Sequence, residues 1–180
     1  MLSCRVPFHP GDSPWSCPKA ELIGSLQHEV HILLHLASKV DARSLDYRPT
    51  PKQRSTIEWL RYLSIMGPQM LKATKSGVFD GEAWGAADKV AQTLTLEQVI
   101  ASIAGQSEFY AKEIGEMADA DFRTEIEMFG QKYTKGSFIV NLILGGFAAY
   151  RTQIFVYLKA CGREELSTMN LWAGMDAPPQ

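Results

Sequence analysis

The chain has 180 residues, of which 46% are hydrophobic and 21% charged, with a formal net charge of −2. This length and composition are typical of one soluble domain that builds its own core. The near-neutral charge excludes nucleic-acid binding by broad neutralisation of phosphates, and the three cysteines form no CxxC pair that would indicate a zinc or redox motif.

The chain begins with a proline-rich stretch, residues 1–17, which is predicted to be an irregular arm. This stretch lacks the basic and then apolar order of a signal peptide. The longest apolar run, residues 138–150, is about 13 residues long, whereas a helix that crosses a bilayer needs roughly 20. These features predict a cytoplasmic protein that has no membrane partner.

The first predicted helix begins at Pro18 and runs to about Ser38, with its apolar residues in one stripe. Three histidines, His28, His31 and His35, fall on the opposite side of this helix. Two neighbours at this spacing could share a Zn or Ni ion, but only with further ligands from another helix or another subunit. The geometry favours a surface that faces solvent or a second subunit. A metal site and association controlled by histidine protonation are the alternatives.

Capping boxes mark the starts of the next two long helices. Ser55 with Glu58 opens the second helix, and Thr95 with Gln98 opens the third. Within the second helix, the Gly67–Pro68 pair predicts a kink, because proline removes one backbone hydrogen bond.

The remaining elements follow from local patterns. A short helix is predicted around residues 82–91, and alternating apolar and polar residues around Gly130 predict a small hairpin. The fourth helix is predicted from Phe138 to about Cys161. The last residues, 163–180, form a tail without a helical period that is expected to pack on the body of the protein.

Four long amphipathic helices predict an all-α, up-and-down four-helix bundle over residues 18–162, with a long connection before the last helix. The predicted core residues recur at helical spacing on these four helices. They include Leu26, Val30, Leu33, Trp59, Leu63, Met66, Ile100, Ile103, Phe138, Ile143, Phe147 and Ile154.

Three segments together carry a family resemblance. Residues 45–63, "LDYRPTPKQRSTIEWLRYL", and residues 149–162, "AYRTQIFVYLKACG", resemble the second-helix and fourth-helix motifs of the DinB-like superfamily. The "HE" pair at His28–Glu29 is similar to the first helix of that superfamily. The resemblance implies a four-helix bundle, often dimeric. It also implies a divalent metal held by one histidine of the second helix and two ligands of the fourth, which characterised relatives use to activate a low-molecular-weight thiol.

The positions that match these metal ligands carry other residues. The second-helix histidine matches Tyr62, and the two fourth-helix ligands match Gly146 and Tyr150. Glycine has no donor atom, and a phenol with a pKa near 10 is a poor zinc ligand. Because the second to fourth helices contain no histidine, the ligand set cannot be rebuilt there.

The predicted ligand pocket surrounds these substituted positions. Its residues are Tyr62, Gly146, Tyr150, Arg151, Gln153 and Tyr157. Those of the fourth helix share one face, except Arg151, which reaches the pocket only through its long side chain. Two interpretations stay open: the tyrosines fill the cavity with their rings, or they line a small polar pocket for an uncharged or anionic ligand.

The leading hypothesis is a DinB-like protein that lacks the metal ligands, needs no cofactor, and binds a small molecule or a protein partner. The alternative is a metal-dependent thiol S-transferase or hydrolase of the DinB-like type, with a Zn or Ni ion at an unusual site. Whether the chain is an enzyme therefore stays open. The resemblance also predicts a homodimer, and Ile32 and Leu36, beside the histidines, make the first helix a candidate contact.

Overall fold

The computed structural model describes residues 19–178, so the predicted arm over residues 1–17 and its cysteines lie outside the described residues. The described elements, in chain order, are α1 (Lys19–Ala37), α2 (Thr56–Ser76), α3 (Gly81–Ala91), α4 (Leu96–Ala104), α5 (Gln106–Gly115), a 3₁₀ turn (Asp119–Arg123), β1 (Glu125–Met128), β2 (Gln131–Thr134), α6 (Lys135–Phe138), a π-helical segment (Ile139–Leu144), α7 (Gly145–Ala160) and α8 (Thr168–Trp172).

The predicted all-α bundle is confirmed. Its four walls are α1, α2, the α4–α5 pair and the continuous helix from α6 through α7, and they enclose one main core. Every predicted core residue is buried except Ile100, which is only half-buried. Val99 is fully buried in its place, together with Ile103 four residues later. The buried side of α4 therefore runs through Val99 and Ile103, four residues apart, rather than through Ile100 and Ile103.

α2 remains one helix through Pro68, where a kink was predicted. Proline cannot donate to the carbonyl four residues earlier, which belongs to Ser64. The side chain of Gln106, at the start of α5, donates to this carbonyl at 3.1 Å and accepts from the Tyr110 hydroxyl at 2.9 Å. A side chain at Gly67 would place its Cβ 1.7 Å from that hydroxyl, so only glycine fits beside the repaired turn.

The predicted third helix is split, because α4 ends at Ala104 and α5 begins at Gln106. The predicted hairpin is confirmed: β1 and β2 pair antiparallel, with Met128 opposite Gln131. Its two-residue turn has positive φ at Phe129 (53°) and at Gly130 (74°), as the tight turns of hairpins require.

The fourth wall is longer than the predicted helix. It runs from Lys135 to Ala160 and, by length and composition alone, is the one described helix that could cross a membrane. Its most apolar 18-residue window has a mean hydropathy of 1.4 and is only 28% buried. The helix starts before Phe138 because the Thr134 side chain caps it by accepting from the Ser137 N–H.

The C-terminal tail contains the short helix α8, which the sequence pattern did not predict. Ser167 caps this helix by accepting from the Met169 N–H, and the Asn170 carboxamide accepts from the Ser167 N–H. A five-residue helix is too short to show a 3.6-residue period, so only its capping residues could have indicated it.

Candidate functional site

Three of the predicted pocket positions come together between α2 and α7. The ring centres of Tyr62 and Tyr150 are 5.3 Å apart and nearly perpendicular, and Trp59 stacks on Tyr150 at 4.6 Å. Trp84 of α3 meets Tyr62 at 5.9 Å. Trp59 and Tyr62 lie on one side of α2 because they are three residues apart. We call Trp59, Tyr62, Trp84 and Tyr150 the aromatic cluster.

The space beside Gly146 is filled by a methionine. A Cβ atom at Gly146 would lie 3.1 Å from the Met66 methyl carbon and 3.6 Å from its sulfur. Met66 itself is only 2% exposed. A flexible thioether thus occupies the room that a fourth-helix metal ligand would need at this position.

The side chains at these positions do not fit a divalent metal. Burial, together with the neighbouring Tyr150 hydroxyl, raises the pKa of Tyr62 to about 12, so the phenol stays protonated at neutral pH. A zinc ligand must instead offer a free or deprotonated donor atom. Over residues 19–178, no group of three or more His, Cys, Asp and Glu side chains is placed to hold a metal ion.

Two of the other predicted pocket residues, Tyr157 and Arg151, contact other parts of the bundle. Tyr157 packs edge-on against Tyr47, with ring centres 5.4 Å apart, and Gln153 is half-buried on α7. Arg151 lies on the opposite side of α7 and contacts α1 instead. The structure therefore brings Tyr62, Gly146 and Tyr150 together and separates them from Arg151.

A basic cleft adjoins the aromatic cluster, and sequence reasoning missed it. Its volume is about 270 Å³, and its lining residues are Arg48, Pro51, Lys52, Gln53, Arg54, Glu58 and Gln92. The Arg54 guanidinium lies 4.6 Å from the ring centre of Tyr62 and 5.1 Å from that of Trp59. The signal was present as three basic residues in the extended segment 48–54, before α2.

Glu58 does not neutralise this cleft. Its carboxylate accepts from the Ser55 N–H at 2.7 Å and lies 3.3 Å from Arg48. Both contacts hold the pKa of Glu58 below its usual value, the backbone hydrogen bond being the larger cause. Because Arg48 offsets Glu58, Lys52 and Arg54 leave the cleft with a net positive charge.

Arg151 forms a buried ion pair with Glu29. The Arg151 Nε lies 2.6 Å from the Glu29 carboxylate, and the two side chains are 4% and 10% exposed. The guanidinium also donates to the Leu171 carbonyl and lies 5.0 Å from the ring centre of Trp172. Burial raises the pKa of Glu29 although Arg151 opposes that shift.

This ion pair forms the floor of a second cleft, the α1–α7 groove. The groove has a volume of about 450 Å³, and most of its exposed lining is apolar. Its lining residues are Ser25, His28, Glu29, Val140, Leu144, Gly145, Ala148, Arg151 and Trp172.

The histidine side of α1 is partly covered by the C-terminal tail. His28 contacts the Trp172 carbonyl at 2.9 Å, and His35 contacts the Asn170 side chain at 3.0 Å. A Cβ at Gly174 would lie 2.7 Å from the His31 ring, so the tail passes directly over it. Burial, followed by the Lys39 charge, lowers the pKa of His35. The tail thus covers part of the histidine side of α1.

The predicted contact surface on α1 is corrected by this arrangement. Ile32 and Leu36, expected beside the histidines at a dimer contact, are both fully buried in the core. Gly174 lies so close that a Cβ there would be 3.1 Å from the Ile32 Cα. Within the bundle, the apolar side of α1 is therefore wider than its sequence stripe indicated.

Comparison with known proteins bears on the fold alone. No family model and no curated protein matches the sequence. Among solved structures, the crystal structure of a DinB-like protein, YjoA, from Bacillus subtilis is similar to this chain, with a TM-score of 0.64. The two sequences are 17% identical, and the match covers 82% of this chain and 95% of that one. The chain therefore has a DinB-like fold, as the three motif segments indicated.

Proposed function

We propose that this protein of DinB-like fold works without the metal ion that the family resemblance implies, and binds a small anionic molecule beside the aromatic cluster. In this proposal the protein acts in the cytoplasm, needs no cofactor, and is a binding protein rather than a thiol transferase.

The observation that carries the metal-free proposal is the replacement of all three ligand positions by a packed interior. Tyr62 and Tyr150 pack ring against ring, and Met66 takes the room beside Gly146. A catalytic zinc needs three protein donors and an open fourth position. Two neutral phenols and a thioether supply neither the charge nor the donor atoms for such a site.

The charge beside the cluster supports an anionic ligand. Arg54 is held over the faces of two rings, which restrains a side chain that otherwise loses rotamer entropy on binding. The Trp59 indole N–H is buried and has no hydrogen-bond partner among the described residues. A carboxylate or phosphate could accept hydrogen bonds from Arg54 and Lys52, while an attached ring packs against the cluster.

Elemental analysis of protein purified without a His-tag tests the metal-free proposal. We expect far less than one Zn or Ni per chain in the wild type and in a His31→Ala variant. About one metal per chain in the wild type that disappears in His31→Ala would overturn the proposal and make α1 the metal site.

Titration calorimetry with phenyl phosphate tests the anionic ligand, with benzyl alcohol as the uncharged probe. We expect binding of phenyl phosphate only, and about a tenfold loss of affinity in Arg54→Ala, because one charge-assisted contact is removed. Arg123→Ala is the matched control, since Arg123 is exposed on the 3₁₀ turn. Absence of binding, or an equal loss in both variants, would contradict the assignment.

A further inference from the structure

The α1–α7 groove has the size and the walls of a small-molecule site. Its volume of about 450 Å³ lies within the range of roughly 300–1,000 Å³ that small-ligand pockets occupy. The fourth wall contributes Val140, Leu144 and Ala148 to its lining, and the tail contributes Trp172, which is 65% exposed. Covering apolar groups that water now contacts is favourable. The groove therefore offers a binding surface for the apolar body of a ligand.

The backbone of the fourth wall is irregular where it lines the groove. Residues Ile139–Leu144 are π-helical, and the Gly145 N–H donates to the carbonyl of Val140, five residues earlier rather than four. Such turns are rare and occur frequently at functional sites. Outside its own helical turn, a Cβ at Gly145 would meet only the Val140 carbonyl oxygen, at 3.5 Å. The space beside Gly145 is therefore open, and it adjoins the irregular turn.

The charged floor of the groove keeps hydrogen-bonding capacity. The Arg151 Nε and a Glu29 carboxylate oxygen are 2.6 Å apart but are not aligned for a hydrogen bond, and both atoms are buried without a hydrogen-bond partner among the described residues. Besides this contact, Arg151 donates to the Leu171 carbonyl, although a guanidinium has five N–H groups. Buried polar groups are nearly always hydrogen-bonded in native proteins. The floor therefore lacks partners that a ligand could supply.

We propose that the α1–α7 groove binds an uncharged molecule with an apolar body and a primary amide head. Because Glu29 and Arg151 carry opposite charges, Glu29 would repel a carboxylate head and Arg151 would repel an ammonium head. An amide is neutral, and its N–H and C=O groups lie side by side. The N–H can therefore donate to Glu29 while the C=O accepts from Arg151. A hydroxyl carries its donor and its acceptor on one oxygen and matches the pair less well.

Trp172 is placed to report whether this site is occupied. Its ring centre lies 5.0 Å from the Arg151 guanidinium, and its carbonyl accepts from the His28 Nε2 at 2.9 Å. A ligand that packs against the indole ring changes the surroundings of the indole N–H. Trp59 belongs to the aromatic cluster instead, so its indole N–H reports binding beside the basic cleft.

Titration with hexanamide, followed through the indole N–H signals in NMR spectra, tests the site. Trp172→Phe and Trp59→Phe assign the two signals. We expect hexanamide to shift the Trp172 signal and to saturate it near about 1 mM, as the size of a ligand with about eight non-hydrogen atoms allows. The Trp59 signal should not move. Hexanoate and hexylammonium should act on Trp172 at least about tenfold more weakly, because each head faces one like charge.

Gly145→Leu tests whether the ligand lies in the groove. The new side chain should fill the open space there and weaken hexanamide binding at least about tenfold. Gly85→Leu on α3 is the matched control, because Gly85 is also an exposed helical glycine with open space at its Cβ position, and it lies outside the groove. That variant should bind hexanamide like the wild type. Circular dichroism must show that both variants keep the helical content of the wild type.

Glu29→Gln tests the head group with little change in the shape of the floor. The remaining Arg151 charge should reverse the preference, so that hexanoate binds this variant more tightly than hexanamide does. If Glu29→Gln loses helical content, the three ligands compared on the wild type decide the head group by themselves.

Three results would overturn the proposal. They are the absence of a saturable Trp172 shift with hexanamide, an equal response in Gly145→Leu, and hexanoate binding to the wild type as tightly as hexanamide. A shift of the Trp59 signal alone is an instance of the first result and would assign hexanamide to the aromatic cluster. The test is independent of the anionic ligand proposed above, because the groove shares no lining residue with the basic cleft.

Discussion

Tyr150 and Arg151 are adjacent in α7, yet their side chains lie in two different regions of the molecule. Tyr150 joins the aromatic cluster, where the positions that the resemblance matches to metal ligands are filled by rings and a thioether. Arg151 enters the α1–α7 groove, where two charges are buried against each other. The first region is filled by uncharged side chains, whereas the second contains two charged side chains that are buried as an ion pair.

The aromatic cluster and the α1–α7 groove differ in how strongly their side chains depend on single partners. In the aromatic cluster, each ring packs with several neighbours, so the loss of one polar atom leaves the others in place. In the groove, Glu29 and Arg151 are both buried and Arg151 offsets the charge of Glu29, so the loss of either partner leaves a buried charge without its counter-ion. Loss of one charged partner in the second region should therefore cost more stability than loss of one polar atom in the first.

The largest expected effect comes from breaking the ion pair. Glu29→Leu or Arg151→Met alone should lower the free energy of unfolding by about 3–5 kcal/mol, because one charge remains buried without a partner. The double variant should lie within about 1 kcal/mol of the wild type. Urea denaturation measures all four proteins. A double variant that loses the sum of the two single effects would show that the pair is not the source of the coupling.

An intermediate effect is expected where Met66 fills the space beside Gly146. Met66→Ala should cost about 2–4 kcal/mol of unfolding free energy, because it opens a cavity in a packed interior. Adding Gly146→Leu should recover part of this loss, since the new side chain enters the same space. Met70→Ala, at a half-buried position of the same helix, is the control and should cost less. If Gly146→Leu brings no recovery in thermal or urea unfolding, the two residues do not share that space.

The smallest expected effect is the pH dependence that Tyr62 contributes. Its folded-state pKa is raised from 10.0 to about 12, so the folded protein keeps a proton that the unfolded chain loses. This contribution is complete below pH 10 and disappears as the pH rises through 12. Because Tyr62 is partly exposed, we expect about 1 kcal/mol rather than the roughly 2.7 kcal/mol of a fully shielded group.

Comparing the wild type with Tyr62→Phe between pH 9 and about pH 12 isolates this contribution from that of other groups. The stability difference between the two proteins should narrow or reverse as the pH rises. A constant difference over that range would mean that the Tyr62 phenol ionises normally, and that the aromatic cluster does not shield it.

The order of the long helices, and the starts of the second and third, could be predicted because their signals are local. Capping residues such as Ser55 and Thr95 lie within one turn of the helix they start, and the apolar stripes recur every three or four residues. The errors concern single positions and short elements, which local sequence patterns do not determine. Ile100 was predicted to be buried, whereas the fully buried residue is Val99, one position earlier. The five residues of α8 are too few to show a helical period.

By itself, the sequence determined the bundle, the DinB-like motifs and the absence of histidine from the second to fourth helices. The tertiary structure alone decided that Met66 occupies the space beside Gly146, that Glu29 pairs with Arg151, and that Gln106 satisfies the carbonyl left free by Pro68. It also decided that the tail covers part of α1 and that one side of α7 stays exposed. The physical reason is range: helix formation depends on residues within a turn or two, whereas these contacts join residues far apart in sequence whose meeting depends on how whole helices pack.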